Sequence, residues 1–119
     1  MHKDELIKLA ERCEAAEGPN FELEMEIGRA VAPNFKEMWR STIGRPAPAY
    51  TASLDAAMTL IPADLFPTID FVTKRVWIRD EKGFDVAWTS AHGFAATVPL
   101  SICAAALRAR AACLVEGEG

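Results

Sequence analysis

The sequence predicts an α+β domain. Three observations carry this: helix-period apolar stripes at both ends of the chain, a change to β-branched and aromatic-rich segments after Pro67, and a length of 119 residues. A chain of this size buries roughly two-thirds of its unfolded surface, enough for one core and too little for two. One domain over residues 1–119 is therefore expected. Half of the residues are apolar and 25% are charged, as in ordinary globular proteins and unlike disordered or collagenous ones.

The first helix is predicted from Asp4 to Glu17, with Leu6, Leu9, Ala10, Cys13 and Ala16 forming one stripe. Gly18-Pro19 stops it, and Asn20 suits the N-cap of a second helix. There Leu23, Ile27, Ala30 and Val31 share one face, while Glu22 and Glu26 share another. Gly28 within this pattern suggests close approach to a neighbouring element. From Pro33 to Tyr50 the pattern lapses into an irregular connection, with a short edge strand expected around Phe35 to Trp39. Thr51 or Ser53 then caps a third, short helix carrying Leu54, Ala57, Met58 and Ile61, which Pro62 ends.

A β-hairpin is predicted next, near residues 69–89: a strand from Ile69 to Arg79, a turn at Asp80 to Gly83, and an alternating strand from Phe84 to Thr89. In that long first strand Val72, Val76 and Ile78 fall on one face and Ile69, Phe71 and Trp77 on the other, which predicts a sheet covered, at least in part, on both sides. Ser90 to Ala96 reads as a loop. Thr97, with Pro99 in the first turn, opens the last helix. Its stripe is the clearest in the chain, through Leu100, Cys103, Ala104, Leu107, Ala111 and Leu114, flanked by Arg108 and Arg110. So many alanines let neighbouring elements come close, and this helix is expected to be central. The tail from Val115 to Gly119 has no period and is expected to fray.

The net charge of −4 disfavours general nucleic-acid binding, which depends on a basic surface. The excess is local: residues 1–32 hold eight acidic side chains against four basic ones. This makes Glu22, Glu24 and Glu26, with Trp39 from the irregular segment, the candidate partner-binding surface. No apolar run approaches the roughly 18 residues of a membrane span, and the charged start lacks the apolar core of a signal peptide. A cytoplasmic location is expected. Cys13, Cys103 and Cys113 are odd in number and widely spaced, fitting neither a disulfide framework nor a zinc site, and read as small core hydrophobes.

Catalytic chemistry is thin. His2 and His92 have no Cys, Asp or Glu at metal-ligand spacing, and no phosphate-cradling glycine loop occurs. Ser90, His92 and Asp85 make a triad only on paper, without a nucleophile-elbow sequence. No catalytic residue, metal ligand or cofactor is predicted.

Three stretches, Glu14 to Leu23, Tyr50 to Pro62 and Ala95 to Arg110, resemble in order the phage ABA sandwich domain family, small proteins of bacteriophages and prophages. The most specific is Tyr50-Thr51-Ala52-Ser53-Leu54-Asp55-Ala56-Ala57. One departure is that the family commonly has Ala-Thr-Pro before the last helix, whereas here Val98 moves the proline to position 99. The resemblance implies a three-layer α-β-α sandwich and no activity. For Tyr50, Thr51, Ser53 and Asp55 the physical expectation is structural: a hydroxyl cap, a carboxylate near a positive helix end, and a tyrosine lid.

The resulting functional expectation is a non-enzymatic phage or prophage protein that binds a host or phage protein through its acidic surface, with inhibition of a host defence system, as by an anti-CRISPR, as one form. The alternatives are a small-ligand module or minor enzyme with a pocket at residues 90–99, where backbone N–H groups would hold an anion, and a virion or assembly component, in which case a homo-oligomer is expected.

Overall fold

The computed structural model describes residues 3–31, 49–62, 65–79 and 92–118. The expected edge strand at 35–39, Trp39, the turn at 80–83, the strand at 84–89, Ser90 and Asp85 lie outside them. In chain order the elements are α1 (Lys3–Ala15), α2 (Phe21–Val31), α3 (Leu54–Met58), β1 (Phe66–Asp70), β2 (Arg75–Arg79), β3 (His92–Phe94) and α4 (Val98–Glu118). The fold is α+β. Among the described residues it has four helices and one antiparallel sheet in the order β1-β2-β3.

The predicted stripes of α1, of α2 and of α4 as far as Ala111 face the core, whereas in α3 only Ala57 is buried and Leu54 and Met58 are exposed. Leu6, Leu9, Ala10 and Cys13 of α1 and Leu23 and Ile27 of α2 enter a shared core with Ala57, Leu60, Val76, Ile78 and the middle of α4. Three caps act as their residue types predict. Asn20 Oδ1 accepts the Leu23 N–H at 3.0 Å, Ser53 Oγ accepts the Ala56 N–H at 3.2 Å, and Thr97 Oγ1 accepts the Leu100 N–H at 3.3 Å. Each satisfies a backbone donor that the first helical turn leaves without an intrahelical partner.

The last helix is central, and more completely so than one stripe requires. Residues 101–107 are all buried, including Ile102, Ala105 and Ala106 off the predicted stripe. The sheet packs on α4 through β2 and β3, and α1 and α3 pack on it as well. This layering is compatible with a sandwich. Alanine makes it possible, because a helix enclosed on several sides has little room for long side chains. The backbone also stays helical through Val115–Glu118, where fraying was expected. Each added residue extends an existing helix by one hydrogen bond, so propagation needs no apolar repeat.

The predicted strand Ile69–Arg79 is not one strand. It is a hairpin of its own, with β1 and β2 joined by a turn at residues 71–74, and Ile69 pairs with Val76. The turn resets the alternation. Pro67, Ile69, Val76 and Ile78 share the face toward α4, while Phe66, Thr68, Asp70, Arg75, Trp77 and Arg79 share the other. Only the face toward α4 is buried; Trp77 keeps to the other face, and Phe71 and Val72, assigned to the two faces of an unbroken strand, stand at the hairpin tip, 61% and 91% exposed. The turn carries no glycine, proline or asparagine. Asp70 shapes it instead: its Oδ1 accepts the Val72 N–H at 2.9 Å and the Thr73 N–H at 3.2 Å, and Lys74 takes a left-handed φ of 63°.

The segment expected as a loop at 90–96 also contains a strand, β3, paired to β2 with Gly93 opposite Val76. Gly93 is required there by space. A Cβ at this position would stand 2.1 Å from the Ser101 carbonyl oxygen and 2.9 Å from the Ala105 nitrogen. Strand and helix meet backbone to backbone.

Candidate functional site

Among the described residues, polar side chains converge at two places that each begin with a glutamate of the N-terminal helical pair. The first is a buried junction between α2 and the segment entering α3. Glu24 is 3% exposed and Thr51 1% exposed. Glu24 Oε2 accepts the Thr51 hydroxyl at 2.6 Å and the Thr51 N–H at 3.1 Å, and Thr51 Oγ1 in turn accepts the Asn20 N–H at 2.8 Å. Glu24 is thus not part of the acidic surface to which its charge had assigned it. It lies three residues before Ile27 and four before Gly28, both buried, so helical geometry carries it toward the core. A carboxylate withdrawn from water needs such donors, and Thr51 brings two from 27 residues away.

The other residues singled out for that surface divide. Glu22 is exposed, and Glu26 is partly exposed and forms an ion pair with Arg12 across the α1–α2 hairpin. Of the four positions that resemble the family signature, Tyr50 and Thr51 are buried, Ser53 is the α3 cap, and Asp55 is exposed in the first turn of that helix. Burial raises the Tyr50 phenol above its ordinary value, opposed by Arg110. The Tyr50 carbonyl accepts the Cys103 thiol at 3.2 Å. A hydrogen bond with Cys13 and burial push the Cys103 thiol well above its ordinary value, so Cys13 and Cys103 behave as the small hydrophobes expected.

The second place is the corner where α1, α4 and β3 meet. Arg108 holds Glu14 with two hydrogen bonds, 2.7 Å from Nη1 to Oε2 and 2.6 Å from Nη2 to Oε1, and Glu14 Oε2 also accepts the Phe94 N–H at 3.1 Å. The Glu14 carboxylate raises the Arg108 guanidinium above its ordinary value. Beside this corner an open groove of about 490 Å³ is lined by Glu14, Val72, Thr73, Lys74, Phe94, Ala95 and Ala96. It adjoins the loop where an anion pocket was expected, but the donors at 94 and 95 are engaged. Glu14 takes the Phe94 N–H, and Ser101 Oγ takes the Ala95 N–H at 2.9 Å while donating to the Lys74 carbonyl at 2.5 Å. His92 opens β3 opposite Trp77.

Sequence reasoning missed Glu14, Arg108 and Ser101 as fasteners, because their partners are distant in the chain. One signal was available: Arg108 flanks an otherwise apolar stripe and so stands at the edge of a buried face. Among the described residues no three of His, Cys, Asp and Glu gather as a metal site, and no helix is long and apolar enough to cross a membrane. No family model, curated protein or solved structure matches the chain.

Proposed function

We propose that this chain works by binding another protein through the acidic outer surface of its α1–α2 hairpin. The observation that carries the reading is the distribution of carboxylates: Asp4, Glu5, Glu11, Glu17 and Glu22 are exposed on or between these two helices, with Phe21 beside them, 52% exposed. An acidic surface with an aromatic side chain on it supports docking on a basic protein, where charge speeds encounter and the ring supplies contact area. The inward carboxylates Glu14 and Glu24 are engaged in structural hydrogen bonds, which favours binding over acid–base catalysis as the role of the acidic residues. The likeness of Tyr50 to Pro62 to phage ABA sandwich proteins supports a phage or prophage setting in the bacterial cytoplasm. A host defence protein with a basic nucleic-acid channel is then a fitting partner, and blocking it would need shape and charge alone.

The test is capture of a partner from host lysate, followed by binding of that purified partner to a variant carrying Glu5→Lys, Glu11→Lys and Glu22→Lys. The expected result is at least a tenfold loss of affinity, steeper at low salt because exposed charges are screened over about 10 Å at ordinary ionic strength. A captured partner that binds the variant unchanged rules out the acidic face. The groove beside Glu14 favours a second reading, a small-ligand module. A thermal-shift screen in which cationic or neutral metabolites stabilise the protein, with the effect lost in Lys74→Ala or Thr73→Ala, would support that reading over the first.

A further inference from the structure

The face of the sheet turned away from α4 is unusual for a small domain. Phe66 is 55% and Phe94 53% exposed on it, at opposite corners of the three strands, and Trp77 lies half-buried between them on β2. Isolated exposed apolar residues are ordinary, but several aromatic rings on one open face mark a binding surface. The charge around them is basic. Residues 65–79 carry Lys74, Arg75 and Arg79 against the single acidic residue Asp70, which pairs in register with Arg75, so this segment is net positive. The chain's net negative charge thus does not describe this face, because the acidic excess sits on the α1–α2 hairpin. The Arg75 guanidinium already lies 5.2 Å above the centre of the Phe94 ring, so a flat cationic group and an aromatic ring stand stacked in the open.

We infer that this face binds single-stranded nucleic acid, with bases stacking on Phe66, Phe94 and the Arg75 guanidinium and the backbone phosphates drawn to Lys74 and Arg75. Rings on an open antiparallel sheet accept any base through its π-face, and nearby cations track the sugar-phosphate chain, which together give binding with little sequence preference. An acidic peptide would satisfy the cations and leave the rings without flat partners. The inference is independent of the acidic-face reading, since the two concern different surfaces.

The experiment is fluorescence anisotropy of a labelled oligothymidylate and a labelled oligouridylate at low ionic strength. The expected result is saturable binding, weakened roughly tenfold by Phe94→Leu and by Phe66→Leu, which keep an apolar side chain and remove the stacking plane. Arg75→Ala weakens binding and flattens its dependence on salt. Glu22→Lys, on the acidic hairpin, does not weaken it. Circular dichroism and melting curves matching the parent's are the control that these variants keep the fold. No anisotropy change at low salt overturns the inference. So does binding unchanged in both leucine variants, equal affinity for a duplex of the same length, or displacement by oligoglutamate as effective as by unlabelled oligonucleotide.

Discussion

The two sides of α4 are built on different principles. Toward the sheet, the helix meets β3 with backbones in contact, and Gly93 leaves no room for even a methyl group. Toward the helical pair and the α3 segment, the contacts are long side chains and hydrogen bonds: Glu14 with Arg108, the Cys103 thiol with the Tyr50 carbonyl, and the Arg110 Nε–H with the Leu60 carbonyl at 2.7 Å. The sheet side, although Ser101 fastens it to Ala95 and Lys74, is limited first by volume, and the other side by the pairing of polar groups. A core can therefore be demanding for two separate reasons, and substitutions on the two sides should fail differently.

The largest expected effect breaks the sheet side. Gly93→Ala places a carbon where the Ser101 carbonyl stands, and the two backbones can separate only by moving the strand, so a loss of about 3 kcal/mol or more is expected in urea unfolding. Stability within about 0.5 kcal/mol of the parent would show that β3 and α4 do not meet this closely. The polar junction next to the helical side comes second. Glu24→Ala leaves the Thr51 hydroxyl and N–H without their acceptor and should lose about 1–3 kcal/mol, whereas Glu24→Gln, which keeps an acceptor oxygen of the same shape, should lose clearly less. Equal losses in the two would mean that volume, and not pairing, matters there too.

The smallest effect sharpens the sheet side at its tip. Hydrogen bonds from the Thr73 N–H and hydroxyl hold the Asp70 carboxyl below its ordinary value. A lowered folded-state value means stabilisation that is present above the usual carboxylate range and lost as pH falls through the lowered value. Asp70→Asn should thus flatten the acid side of the stability profile, and the two proteins should converge in strong acid. A difference between them that is the same at all pH values would place the turn's stability elsewhere.

Much of this architecture is legible in the sequence where the governing interaction is local. The stripes of α1, α2 and α4 and the caps Asn20, Ser53 and Thr97 depend on residues within one or two turns of each other. The hairpin at 66–79 was displaced because Phe71-Val72-Thr73-Lys74 has the composition of a strand, and one aspartate before it outweighs that preference by bonding two backbone N–H groups. β3 was hidden because Gly93 reads as a loop residue until the helix pressed against it is known. Glu24 misled for a related reason. A glutamate in a helix is ordinarily solvated, and only Thr51, remote in sequence, makes its burial tolerable. Glu22, by contrast, is exposed as its residue type and its position on the outer helical face predict.

The position of α4 also has a consequence for synthesis. The helix around which the core assembles is the last of the described elements to leave the ribosome, and Glu14 must wait for Arg108, 94 residues later. Until then the apolar stripe of α1 and the inner face of the β1–β2 hairpin lack the helix that buries them in the finished fold. Formation of the native core thus waits for a loop closure that spans most of the described fold, a contact of long sequence separation that slows folding.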